Sequence, residues 1–186
     1  MVLQKNRDFY AYLAISGLTS LTTWVLLFLP NFLTGRGWSL QLTGWAIGIY
    51  FLFYLVSHVL AGRLSDRYGY TRVTAAGAAL AVVGGLLYLS ALWVTFLIFP
   101  ARILHAVGSA MIYSGALLQL VQSVPMHLRG RVMGYYGLPG FAMLGLGPLI
   151  AEWMFYSWGM KGIFFSVPTV FLLATWLLAR LPRQKE

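Results

Sequence analysis

Six apolar runs of about twenty residues, joined by short connections, constrain this chain more than any other feature. They are Phe9–Leu29, Leu42–Ala61, Val73–Trp93, Phe96–Val121, Val132–Tyr156 and Gly162–Leu181. A helix that crosses a bilayer needs about 20 consecutive apolar residues, and it must pair its backbone polar groups within itself because no water is present. Six such spans fill nearly all of the 186 residues and leave no room for a separate soluble domain. Only 9% of the residues are charged, against roughly a quarter in soluble domains, which argues against an ordinary globular enzyme. Lys5 and Arg7 before the first run resemble the start of a signal peptide. The run is too long for one, however, and lacks a small-x-small cleavage site before Pro30, so it reads as an uncleaved span.

The net charge of +9 invites comparison with nucleic-acid binders, but the charges sit singly between apolar runs and form no basic face. Retention of Lys and Arg on the cytoplasmic side during insertion explains the excess more simply. Lys5, Arg7, Arg63, Arg67, Arg72, Arg129, Arg131, Arg180, Arg183 and Lys185 fall on one side, only Arg36 and Lys161 on the other, and Arg102 within the fourth run. This asymmetry predicts a multi-pass protein of the plasma (inner) membrane with both termini in the cytoplasm. The absence of cysteine removes disulfides, thiolate metal sites and thiol catalysis. No P-loop is present, so ATP-driven transport by this chain alone is excluded, and no cofactor is expected.

The predicted fold is all-α: one polytopic bundle over 1–186 whose six transmembrane helices divide into units of about 9–93 and 96–181. Three spans per unit is an odd number, so the second unit runs inverted relative to the first. The symmetry lies in span lengths rather than residue identities.

The sharpest local feature follows the second span, where Gly62-Arg63-Leu64-Ser65-Asp66-Arg67-Tyr68-Gly69-Tyr70-Thr71-Arg72 suggests a tight turn with a charge cluster at the helix ends. A basic loop on the cytoplasmic side accounts for the arginines but not for Asp66 between two glycines. This segment resembles the G-x-L-x-D-R-x-G-R signature of the major facilitator superfamily, which lies between that family's second and third helices. It departs from the pattern at Tyr70 and Thr71, where a further basic pair is usual, with Arg72 one place later. Leu29-Pro30, Gly37-Trp38-Ser39 and Pro125 to Gly134 extend the likeness along the whole chain to the family's N-terminal half. The resemblance implies a cytoplasmic gate containing Gly62, Asp66, Arg67, Gly69 and Arg72, and a six-helix half built from inverted three-helix repeats.

Arg102 is the one basic residue inside a span, where a charge costs about 2.5–3.5 kcal/mol on insertion scales. At 100° per residue Arg102, His105, Ser109 and Tyr113 share one side of the fourth helix. Arg102 with Gly108 is similar to the family's R-x-x-x-x-x-G, with Ala106 in place of a frequent glycine. The resemblance implies a role for Arg102 in proton coupling or in holding an anionic solute. The other reading is an arginine that snorkels to the outer interface.

Tyr50, Tyr54 and Ser57 form a comparable stripe on the second span, as do Ser16, Thr19, Ser20 and Thr23 on the first. Such hydroxyls line a water path or bond to neighbouring helices and their own backbone. His58 reads as a packed or interfacial histidine and His127 as a loop residue, so neither marks a metal site. Gly77, Ala81 and Gly85 recur every four residues and predict close helix packing. Gly134, Gly137, Gly140, Gly145, Gly147 and Pro148 resemble the glycine-proline motif of family exporters. Ala151 and Glu152 stand where two glycines normally follow, so export is favoured only slightly. Glu152 is either a protonation site or, the preferred reading, an interfacial residue paired with Lys161.

These features together predict a non-enzymatic secondary transporter of a small organic solute, proton-coupled, embedded in the lipid bilayer. The chain corresponds to one half, with the solute site shared with a second six-helix half. That half is a missing C-terminal portion of the same protein, a separate chain or a second copy. The competing reading is a transport-incompetent assembly or regulatory subunit.

Overall fold

A computed structural model of the chain describes residues 6–181, and among them all regular structure is helical. Lys5, Arg183 and Lys185, used above for orientation, lie outside the described residues. Helix α1 (Asn6–Trp24) passes through a 3-10 turn, Val25–Phe28, into α2 (Leu29–Gly35). Pro30 stands in the first turn of α2, where its missing N–H removes no helical bond. The first span therefore continues past Leu29-Pro30 and runs to Gly35. Ser39 caps helix α3 (Leu40–Tyr68), its Oγ accepting from the Leu42 N–H at 3.2 Å.

The signature segment is not a loop, as the sequence reading had it. Gly62 to Tyr68 form the last two turns of α3, because only Gly62 in that stretch weighs against a helix and Arg67 sits favourably at the negative end of the helix dipole. The connection to α4 (Tyr70–Ser90) is Gly69 alone, at φ 83°. With ψ 143° this is a region of positive φ that is essentially confined to glycine and costs an L-residue about 1–3 kcal/mol. Gly69→Ala is accordingly expected to lower thermal stability by about that amount in detergent. Gly62→Ala, at a helical position with open space around it, should be neutral or slightly stabilising.

Helix α5 (Ile98–Gln122) is followed by the longest element, α6 (Arg129–Arg180). The fifth and sixth apolar runs both lie in this 52-residue stretch, so the described residues contain five membrane-length helical stretches rather than six separate ones. The reason is that only Ser157 to Lys161 separate the two runs, and Gly159 is the sole break, at φ 65° and ψ −163°. An unbroken helix of that length would reach ~78 Å, against a hydrocarbon core of about 30 Å.

Glycines set how closely the helices approach. On α4, Gly77 and Gly84 face α5: a Cβ on Gly77 would lie 2.5 Å from Met111 Cβ, and one on Gly84 2.7 Å from the His105 nitrogen. Gly85, predicted to share that ridge, turns instead to Pro168 of α6, whose Cα would be 2.8 Å away. On the other side of the bundle Gly140 and Gly147 of α6 bring that helix against Ser20 and Trp24 of α1. Tyr50, Tyr88, Tyr136, Phe164 and Phe171 are the largest fully buried side chains. In contrast, Leu52, Leu55 and Val59 on α3 and Phe141, Leu144 and Leu149 on α6 are exposed. No water-soluble surface would carry so many apolar side chains.

Candidate functional site

Arg102 sits one turn inside α5 and is only 3% exposed. It does not snorkel. Its Nε donates to the Ala46 carbonyl at 3.2 Å and an Nη to the Ile47 carbonyl at 3.1 Å, both in the body of α3. Its guanidinium carbon lies 4.4 Å from the centre of the Tyr50 ring. Each carbonyl has a second lone pair beyond its helical bond, so the charge is solvated by backbone and by an aromatic face without a carboxylate. Arg102 also lines a depression of about 170 Å³ with Thr23, Ile47 and Phe51.

One turn further along α5, His105 is fully buried and bonded at both ring nitrogens. Nε2 lies 3.0 Å from Thr22 Oγ1 of α1 and Nδ1 lies 3.0 Å from the Tyr88 hydroxyl of α4. Tyr50 approaches the same ring edge-on at 4.9 Å, and its hydroxyl is 2.6 Å from Thr23 Oγ1. Three helices thus meet on one imidazole through hydrogen bonds, and α3 joins them through Tyr50.

From Tyr50 a ladder of rings leads away from Arg102. Tyr54 stacks on Tyr50 at 5.5 Å, His58 meets Tyr54 at 4.4 Å, Tyr113 meets His58 at 5.8 Å and Tyr136 meets Tyr113 at 4.8 Å. His58 Nδ1 is 2.7 Å from Ser114 Oγ, and the Tyr136 hydroxyl donates to the Tyr113 carbonyl at 3.1 Å. Tyr54, His58 and Tyr113 are only partly buried. The ladder therefore reaches the surface of the bundle at its middle rungs, while its last ring, Tyr136, is fully buried.

The structure brings most of the predicted path residues together. Arg102, His105 and Ser109 are buried in α5, while Tyr50, Tyr54 and Tyr113 belong to the ladder. Ser57 is buried as well. Glu152 is not brought in: it lies exposed on the first segment of α6, outside the ring contacts. The gate residues Asp66, Arg67 and Arg72 are exposed at the α3–α4 junction, and the Arg67 guanidinium lies 5.2 Å over the Tyr68 ring. His58, set aside as packed or interfacial, is a central rung. Tyr88 and Tyr136 complete the network although nothing in their spacing singles them out.

Comparison with known proteins agrees with this architecture. The family model of the Major Facilitator Superfamily matches residues 11–186. Relatives include the uncharacterized MFS-type transporter Rv1250 of Mycobacterium tuberculosis, 30% identical over 142 residues that make up 74% of this chain and 24% of the relative. Rv1877 of the same organism is 32% identical over 146 residues, covering 75% of this chain and 21% of that protein. YvkA of Bacillus subtilis, also an uncharacterized MFS-type transporter, is 26% identical over 144 residues, covering 76% and 32% respectively. The chain thus spans between about a fifth and a third of the length of these curated relatives. With membrane-length apolar helices, a buried arginine on the fourth long helical stretch and a family match over almost its entire length, this multi-pass membrane protein belongs to the Major Facilitator Superfamily.

Proposed function

We propose that the chain acts as a six-helix half of a secondary active transporter for a small organic solute, with proton coupling and export as the favoured mode. The observation that carries this reading is the ladder of Tyr54, His58 and Tyr113, which starts from the Tyr50 ring under the Arg102 guanidinium. Polar rings opening sideways from a bundle would be costly against lipid. They are accommodated if the face borders a water-filled cavity closed by a second half, related by an axis along the membrane normal. The exposed apolar flanks of α3 and of the first segment of α6 supply the contact for that half.

In this reading the two segments of α6 cross the membrane separately at Gly159, giving six spans and two inverted units. Packing of α3 on α5, and of α1 on the first segment of α6, is the exchange of partners that such a repeat requires. The basic residues at the α3–α4 junction and at the start of α6 favour a cytoplasmic position for that end. Asp66 and Arg67, with Gly62, Gly69 and Arg72 shaping the junction, form one side of a gate. Arg102 and His105 organise the polar path.

The test is solute flux in proteoliposomes containing the chain and its second half, driven by a pH gradient. Asp66→Asn is expected to slow flux at least tenfold with unchanged protein yield, because the side chain is exposed and supports no packing. Equal flux in Asp66→Asn and parent would remove Asp66 from the gate. Assembly with a second half but no flux under any gradient would favour a non-transporting subunit instead.

A further inference from the structure

A groove of about 670 Å³ opens at the end of the bundle opposite Gly69, between the end of α4 and the second segment of α6. Its size lies within the ~300–1,000 Å³ of ligand-binding clefts. We propose that this groove binds an anionic phospholipid, with Lys161 holding the phosphate and an acyl chain lying along the apolar wall. The proposal is independent of the transport reading.

Three observations carry it. First, Lys161, Phe165 and Thr169 line the groove at four-residue intervals, so they run down one helical face for ~12 Å. Leu89 and Trp93 form the facing wall. The groove therefore has a cationic end and extends along the helix axes, the direction of an acyl chain. Ser166 and Thr169 do not make it polar, since their hydroxyls donate to the Ile163 and Phe165 carbonyls at 2.7 and 2.9 Å.

Second, the charge at the mouth is available. No acidic side chain lines the groove, and Lys161 has no hydrogen-bond or ion-pair partner among the described residues. Arg36, the other basic residue at this end, is already engaged: it donates to the Leu92 carbonyl at 2.8 Å and lies 5.0 Å over the Phe32 ring. Third, Trp93 and Trp158 flank the mouth and are largely exposed. Indole rings favour the headgroup level of a bilayer, which sets Lys161 at phosphate depth. Gly162 lets Trp158 fold against the helix, since a Cβ there would lie 2.6 Å from Trp158 Cβ.

The test is native mass spectrometry of the full chain, delipidated in mild detergent and titrated separately with dioleoylphosphatidylglycerol and dioleoylphosphatidylcholine. Retention of phosphatidylglycerol is expected to exceed that of phosphatidylcholine about fivefold. Lys161→Ala should abolish the preference and Lys161→Arg should keep it. Thr169→Trp, a filling substitution at an exposed position, should reduce retention of both lipids. Equal retention of the two lipids by the parent, or an unchanged preference in Lys161→Ala, overturns the proposal. So does displacement by glycerol phosphate alone, which would make the site one for a free anion.

Discussion

Arg102→Met is expected to slow transport by about a hundredfold or more while shifting the thermal unfolding of the bundle by no more than a few degrees. The stability half of this expectation follows from opposing magnitudes. Burying the charge carries a desolvation cost. Two charge-assisted hydrogen bonds to the Ala46 and Ile47 carbonyls and the Tyr50 ring face offset that cost. Methionine removes both sides of that balance and fills the space with an unbranched apolar chain. The Ala46 and Ile47 carbonyls keep their bonds within α3, so no buried acceptor is orphaned. Buried ion pairs replaced whole by apolar residues of similar size are often neutral for this reason, and among the partners of Arg102 there is no carboxylate to be left unpaired.

The transport half follows from position. Arg102 is a cation fixed to α3, packed on Tyr50 and placed at the head of the ring ladder. A hundredfold change corresponds to about 2.7 kcal/mol, the size of one charged interaction gained or lost between two states of the cycle. Flux in proteoliposomes and unfolding in detergent, measured on the same preparation, separate the two effects. Loss of stability in proportion to loss of flux would make Arg102 a strut between α5 and α3. Unchanged flux would remove it from the polar path.

The spans were legible because a bilayer imposes a length and a composition that few other folds share. Their ends were harder to read, since they depend on where a helix stops rather than on where apolar residues stop. Gly62 to Tyr68 read as a loop because it is charged, yet charged residues with good helix propensity prolong α3 until Gly69 forces a turn. Pro30 read as a terminus, but the 3-10 turn before it supplies a new helix start. Between Tyr156 and Gly162 the sequence offers one glycine and no run of loop formers, so the chain bends at Gly159 without leaving helical structure for long.

For the site, helical arithmetic placed Arg102, His105 and Ser109 on one buried side of α5, and an isolated arginine in an apolar run is itself conspicuous. The partners were not legible. His105 meets Tyr88 across two helices, and His58 meets Ser114 across 56 positions. Nothing local to His58 distinguishes a rung of a ladder from a packed histidine. Glu152 drew attention because an acid is rare outside the basic connections, but rarity does not set direction, and its side of α6 faces outward.

Gly108→Leu is expected to prevent the bundle from folding, even though Gly108 lies in a sequence pattern that the family resemblance connects with Arg102. A Cβ at this position would lie 2.5 Å from the Ala81 nitrogen, 2.6 Å from the Gly77 carbonyl oxygen and 2.7 Å from Ala81 Cβ. Overpacking costs about 1–3 kcal/mol when side chains can give way. Two of these three contacts are backbone atoms of α4, which move only if the helices separate. Helix association in a membrane has no hydrophobic drive and depends on such close approach, so separating α4 from α5 removes the attraction that assembled them. The loss would also displace His105 from Tyr88, since both lie along the same seam. Size-exclusion chromatography and thermal unfolding in mild detergent should show aggregation or no cooperative transition. Gly48→Leu, at a helical position with nothing within 4 Å, should behave as the parent. Gly108→Ala adds that same Cβ and should already weaken or abolish the cooperative transition, and adding Ala81→Gly should restore only part of it, because that change relieves the one side-chain contact and leaves the two backbone ones. Full stability in Gly108→Leu would place α4 and α5 further apart than this geometry allows.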